Sequence, residues 1–465
     1  MAAPKLRLRE RLAAIYFCLF PARHDHGFAR HLFHHLPIII GLSIVVALAA
    51  DLGWFQGFQT MALDSLLLAQ SSRRSDQVVV VTIDDDEFQS DELFNGTSPL
   101  KPEVIGEILS AIAAGKPRLI AVDLDTSSPV LADQYRQMAE VTTVKDGWPP
   151  VIWSCDGKPK VGHQSGHGVP ILQITPALTD NRLAASGLIN LPSDTDGVVR
   201  RYYRTFQTAN GECGVPSPMD SLPWAVIKKY SELTPKTQLP EHLLTLRNER
   251  ATAHEPNELL MNLPGDRYSF DHIASTTVLK SAKQAFWSGD KSPVHNKIVL
   301  LGGTYRAARD LYQTPVGRVP GIDLLAMTIE SELQKTGIGI TRHTVAILID
   351  ILFGALLVYL NWRFVSPRAM LWNLLAVGVL AIVASYITFN TFGYWLNFAV
   401  VLVGIWLHNQ LDMFRELPSL RHEIDDLKHK LRDYERAEVS HSQESSASAA
   451  VPTSVTTGHL PEQVQ

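Results

Sequence analysis

The placement of apolar residues constrains this chain more than any other feature. Four apolar stretches stand apart: Leu36–Phe55, Val345–Leu360, Ala369–Phe389 and Phe392–His408. A helix that crosses a bilayer core needs about 20 mostly apolar residues, fewer where tilt or flanking aromatic residues help. The third stretch meets that length outright. Trp54, Trp362 and Trp395 supply interfacial anchors for the others. The overall composition, 19% charged with a net charge of -5, hides this segregation because it averages over a long polar middle.

Basic residues set the orientation of such spans. Lys5, Arg7, Arg9, Arg11, Arg23 and Arg30 precede the first stretch, and Arg363 and Arg368 separate the second from the third. The link at Asn390 and Thr391 carries none. This pattern predicts four transmembrane helices with both termini cytoplasmic and residues 56–340 outside. Ala47–Ala49 matches a signal-peptide cleavage site, but the 35 preceding residues make too long an n-region, so an uncleaved anchor is expected.

Leu8, Leu12, Ile15 and Leu19 share one face of a basic amphipathic helix over Leu6–Phe20, suited to the inner leaflet. His24, His26, His31, His34 and His35 follow. His31 and His35 have ligand spacing, but no cysteine or carboxylate pattern completes a set, and no metal or cofactor is expected. After the last span, Leu417, Leu420, Ile424, Leu427, Leu431 and Tyr434 alternate spacings of three and four. That is a heptad seam, and it predicts self-association over 411–438. A lone amphipathic helix is the rival reading. The Ser- and Ala-rich tail, 439–465, is expected to be disordered, and the stretch beyond His408 is too short for a catalytic domain.

The middle region reads as an α/β domain. "VVVVTID" (Val78–Asp84), Pro117–Asp125 and Lys297–Thr304 are short apolar runs ending in polar or glycine residues, as buried parallel strands do. Lys101–Ala114 reads as a helix with Pro102 in its first turn and Gly115 as its stop. Strand, helix, strand makes a parallel βαβ unit. A further helix is expected over Gly321–Gln334. The strand ends then gather Asp84, Asp85, Asp86, Glu87, Asp123, Asp125, Gly302, Gly303 and Thr304 on the edge where open α/β sheets bind ligands, and a strand-ending role in which the aspartates brace the loops through local amides is the rival reading. So many carboxylates repel one another unless a cation, an arginine or a raised pKa intervenes. Arg306, Arg309, Arg200 and Arg201 are the candidate partners.

Three features invite other chemistry. "AVDLDTS" resembles the start of haloacid-dehalogenase-type phosphohydrolases, with Asp123 as nucleophile and Thr304 as phosphate holder. Ser127 departs from that pattern, which argues against an enzyme. His163 and His167 read as a solvent-exposed pair. Asp350, six residues into the second span and close to the outer interface, is either a functional intramembrane carboxylate or one that snorkels to the interface or hydrogen-bonds to a neighbouring span.

The segments "VVVVTIDDDEF", "AAGKPRLIAVDLD", "LINLPSDTDGVVRRYY" and "KIVLLGGTYRAARDLYQTPVGRVPGIDLLAMTIESEL" resemble, in order and spacing, the type-two CHASE family (cyclase/histidine kinase-associated sensory extracellular domain) of bacteria. One span before the domain and three after it also agree. "TSPLKP" lacks the tryptophan this turn often has in the family. The resemblance implies a periplasmic sensor in the inner membrane. In many members the last spans lead to a kinase, cyclase or phosphatase; no such output domain is expected after the last span here. Cys155 and Cys213 then face an oxidising compartment, Cys18 does not, and the fold decides whether the first two pair.

The expected fold class is a multi-pass α-helical membrane protein with a large periplasmic α/β domain and a short C-terminal helix or coiled coil. Its divisions are 1–35, 36–55, 56–340, 345–408, 411–438 and 439–465. The expected function is a receptor that passes a signal to a separate cytoplasmic partner. A non-enzymatic structural docking subunit of a membrane complex is the rival from another class, and a phosphohydrolase the third; the chain is expected to be a homo-oligomer or a membrane-complex subunit. The lipid bilayer is the expected surrounding, and no nucleic acid is expected.

Overall fold

The computed structural model describes residues 28–70, 74–144, 147–164, 170–174, 185–208, 218–244, 256–263, 269–288, 290–341, 343–364 and 367–411, with isolated positions beyond. The amphipathic helix expected at Leu6–Phe20 lies outside the described residues. So do the seam of Leu417, Leu420, Ile424, Leu427 and Leu431, the tail, Cys18, Cys213 and His167. The chain divides into an α/β unit, residues 47–349 with 380–401, and a helical unit formed by the rest.

The α/β unit is built on six strands: β1 (Arg74–Ile83), β2 (Leu119–Asp123), β3 (Val151–Cys155), β4 (Ala185–Leu188), β5 (Ser269–Ala274) and β6 (Ile298–Gly303). They lie in the order β5-β1-β6-β2-β3-β4, and every neighbouring pair is parallel. The helices along the chain are α1 (Phe28–Asp51), α2 (Gln56–Leu68), α3 (Asp85–Gln89), α4 (Pro102–Ala114), α5 (Ala132–Val144), α6 (Leu222–Leu233), α7 (Ser275–Ser281), α8 (Gly321–Leu333), α9 (His343–Arg363), α10 (Pro367–Ile387) and α11 (Phe398–Leu411).

The valine run is apolar throughout because both faces of the sheet are covered. Val78 and Val80 point into a core shared with Trp224 and Ile227 of α6 and Leu325 and Ile329 of α8. Val79, Val81 and Ile83 point the other way, toward Ile105 and Ile108 of α4, Tyr135 of α5 and Val278 of α7. The alternation is the strand period of two.

Two local expectations change. β1 and β2 are parallel but not adjacent, because β6 runs between them and pairs with both. Gly115 does follow α4, but with helical φ of -74, and Lys116 takes the left-handed turn at φ 54. Glycine is needed at 115 for space: a Cβ there would sit 2.3 Å from Val294 Cγ2.

Arg200 and Arg201 do not serve the acidic strand ends. Arg200 is buried and binds three carboxylates: Asp64 of α2 (Nε–Oδ1 2.6 Å), Asp194 (3.0 Å) and Asp196 (2.8 Å). Arg201 pairs with Asp194 at 2.8 Å and with Glu258. The first network fastens α2 to the sheet-bearing domain, and the Gln56 amide donates to Thr195 in the same turn. The helix α2 also buries Ala62, Leu63, Leu66 and Leu67.

In the helical unit, Asp350 is buried and accepts a hydrogen bond from Ser43 of α1. Gly404 of α11 packs on it so closely that a Cβ would lie 2.7 Å from its Oδ1. Ile39 fits against Gly354, and buried Asn373 donates to Asn361 at 3.0 Å. Among the described residues two helices, Thr344–Arg363 and Arg368–Phe392, are long and apolar enough to cross a membrane. A third is counted only if His35–Asp51 and Gln56–Leu68, bent by 87°, are taken as one, and Phe398–Leu411 is shorter. The four expected spans are therefore matched in full by two.

Removing the cation from the Arg200 cluster leaves partly buried carboxylates facing one another. Arg200→Ala is expected to cost about 3–5 kcal/mol, read as a lowered unfolding midpoint of the detergent-solubilised chain. Gly404→Ala is expected to be destabilising, and Asp350→Ala in the same chain to relieve part of that loss. Strict additivity in this double-mutant cycle would contradict the packing described.

Candidate functional site at the carboxyl edge of the sheet

A parallel sheet brings the carboxyl ends of its strands to one edge, and loops leaving that edge collect polar groups. Here Ile83, Asp123 and Gly303 end β1, β2 and β6 side by side. The expected acidic residues do meet on this edge, but most of them hold local structure.

Asp84 is the N-cap of α3: its carboxylate accepts the Glu87 N–H at 2.9 Å, and Glu87 returns a bond to the Asp84 N–H at 3.2 Å. This capping box satisfies two otherwise orphaned donors. The other oxygen of buried Glu87 accepts the Thr276 N–H at 2.6 Å, tying α3 to the start of α7. Asp85 accepts the Arg306 N–H at 2.8 Å and faces its guanidinium at 3.4 Å. Asp86 is exposed. Asp125 accepts both the N–H and the hydroxyl of Ser127, at 2.9 and 2.6 Å, which closes its loop.

Gly302, Gly303 and Thr304 are likewise structural. A Cβ on Gly302 would meet Ile322 at 2.4 Å, and one on Gly303 would meet the Tyr305 ring at 2.5 Å. That ring stacks flat on Phe88, centroids 4.3 Å apart. The Thr304 N–H donates to Ile83 at 2.9 Å and extends the pairing of β6 with β1. Of the expected basic partners, Arg306 reaches the edge only at its exposed rim. Arg309 is exposed and adopts a left-handed conformation at φ 54.

The electrostatically unusual group is Asp123. It is partly buried at the end of β2, and burial, with the charge of Asp310 added, pushes its carboxyl from 3.8 up to about 7. Burial also raises Asp310, although the Tyr312 hydroxyl donates to its carboxylate. Asp310 abuts the first residue of α8. Gly321 N–H donates to its carbonyl at 2.9 Å, and a Cβ on Gly321 would lie 2.2 Å from its Oδ2. Burial raises the Tyr305 and Tyr312 hydroxyls as well, with Asp125 next for the first and Asp310 for the second.

Asp310, Tyr305 and Tyr312 were not singled out from the sequence. Asp310 follows Arg309 within a quoted family segment, and only the fold places it beside Asp123. Together these residues offer a carboxyl that carries a proton near neutrality, a second acid and two phenols. Such a set suits a cationic or hydrogen-bonding ligand and repels phosphate. Among the described residues no group of three or more His, Cys, Asp or Glu side chains is placed to hold a metal ion.

An acid with a raised folded pKa penalises the folded state once it ionises. Between about pH 4 and 7 folded Asp123 keeps a proton that the unfolded chain has released, so stability falls as pH rises through that window. Asp123→Asn is expected to raise the unfolding midpoint above pH 7 and to change it little near pH 4. An equal shift at both pH values would contradict the assignment.

Compared with known proteins, residues 39–361 match the family model of the CHASE2 domain. No curated protein and no solved structure matches the chain. The match covers residues 47–349 of the α/β unit and runs on into α9, and the chain belongs to the CHASE2 family of extracellular sensory domains.

Proposed function

We propose that this chain is a non-enzymatic membrane sensor in which α8 carries a change at the Asp123–Asp310 edge to the membrane spans. The observation that supports this most is the placement of α8 itself. Its first residue abuts Asp310, every residue except Asp323 is buried, and its last turn feeds a β-clasp next to the spans. A 13-residue helix is about 20 Å long and stiff on that scale.

At the far end of α8, Glu332 accepts the Tyr202 hydroxyl at 2.8 Å and both Nε and NH2 of Arg204 at 2.8 Å. The Arg204 guanidinium also lies over the Trp224 ring, 4.3 Å from its centroid. The chain then turns at Lys335, φ 54, into an extended segment. Ile338 exchanges two backbone hydrogen bonds with Leu260, at 2.9 and 3.1 Å. Gly339 and Ile340 pair in parallel with Tyr394 and Trp395, in the loop between α10 and α11. The Thr341 hydroxyl adds a 2.6 Å bond to the Trp395 carbonyl. Gly337 and Gly339 have no room for a side chain, since Cβ atoms there would lie 2.6 Å from the Tyr202 hydroxyl and 2.8 Å from the Tyr394 ring. The α/β unit thus grips both the entry to α9 and the loop ahead of α11.

In the full reading, α1 and α11 complete four spans, both termini are cytoplasmic and residues 56–340 are periplasmic. The heptad seam beyond α11 joins copies of the chain and presents the shift to a separate cytoplasmic partner. Asp125 and Thr304 are occupied by their own loops, which favours a sensor over a phosphohydrolase. A structural docking subunit would hold its partner whatever happens at the clasp.

Gly339→Val tests the difference. The full-length chain and this variant are crosslinked in intact cells, and the proteins retained at the cytoplasmic end are compared. The variant is expected to leave the α/β domain folded, with a lowered unfolding midpoint, and to change what it retains. A folded domain with an unaltered set of retained proteins would contradict transmission through the clasp.

A further inference from the structure

We infer that α2 is a membrane-surface helix, seated on the outer leaflet beside the first span. This rests on the membrane-spanning reading above and adds a lipid contact to it. Three observations carry it. First, α2 departs from the preceding helix at 87°, so a helix that crosses the bilayer is followed by one lying along its surface. Second, α2 has two apolar faces. Ala62, Leu63, Leu66 and Leu67 are buried, whereas Phe58, Met61 and Leu68 line the open side with Ser65 between them. These positions follow helical spacing, and Met61 and Leu68 are 61% and 48% exposed. Third, the bend itself presents Leu52 and Trp54, 75% and 77% exposed, and tryptophan favours the boundary of a bilayer.

The same residues exclude the alternative that α1 and α2 form one long span. Asp64 of α2 is held by buried Arg200, which also binds Asp194 and Asp196 of the α/β domain. A helix fastened to that polar cluster cannot cross hydrocarbon. It can lie with its open stripe roughly 5–10 Å into the boundary between headgroups and acyl chains. The occupant is therefore the lipid surface itself, continuous with the lipid around the first span.

The test uses the full-length chain with its native cysteines replaced, reconstituted in phosphatidylethanolamine–phosphatidylglycerol vesicles. Single spin labels are placed at Met61, Leu68, Leu352 and Val130, and their collision rates with oxygen and with a nickel chelate are measured. Leu352 lies exposed on α9, and Val130 is exposed on the α/β domain. Labels at Met61 and Leu68 are expected to favour oxygen over the chelate, as at Leu352 and opposite to Val130. Chelate accessibility matching Val130 would overturn the inference. So would low accessibility to both reagents, which would mean that a second copy or another protein covers the stripe. If Leu352 itself behaves like Val130, the membrane-spanning reading fails instead.

Discussion

A parallel sheet covered on both faces can place polar chemistry only at its ends. That constraint organises the whole α/β unit. Its strands are apolar on both sides, as the consecutive valines of β1 show, and loops at the carboxyl edge collect the carboxylates. The helices that cover the faces run back from that edge toward the strand starts. Every covering helix is thus a physical link between the two ends. Among them α8 is the most completely buried, and it touches a polar cluster at each end.

The two ends are built differently. At the carboxyl edge, Asp123 and Asp310 share a site poor in compensating cations, which leaves an acid poised near neutrality. At the other end, Arg200, Arg201 and Arg204 are each matched to carboxylates. Charge pairing of this kind fixes geometry more than it adds net stability. The carboxyl edge therefore carries an acid poised near neutrality, and the other end is suited to holding α2 and the clasp in register.

Much of this was legible in the sequence, and what was not has a common cause. β1, β2, β6, α4 and α8 show local periodicity, so they stand out in a single pass. The insertion of β6 between β1 and β2 joins residues more than a hundred positions apart, and no local pattern records it. For the acidic run Asp84–Glu87 the sequence left a ligand site and a local bracing role both open; the capping box is local, whereas the ties to Thr276 and Arg306 join residues far apart in sequence. Asp310 was missed because its burial depends on Gly321 having no side chain. Arg200 and Arg201 were assigned to the acidic edge on charge alone, and the fold sends them to Asp64, Asp194, Asp196 and Glu258 instead. The type-two CHASE resemblance was carried by fragments that turn out to be β1, β2 and the β6–α8 segment, the framework of the sheet and its buried helix.

The claim at the centre of this account is that the β-clasp behaves as part of the α/β domain. Native-state hydrogen exchange on the full-length chain in lipid nanodiscs tests it most directly, because cooperative elements lose protection together. The account predicts that the amides of Leu260, Ile338, Gly339 and Thr341 are protected and open in one step with the last turn of α8. Exchange of these amides at the rate of an unstructured peptide, while β6 and α8 stay protected, would contradict it.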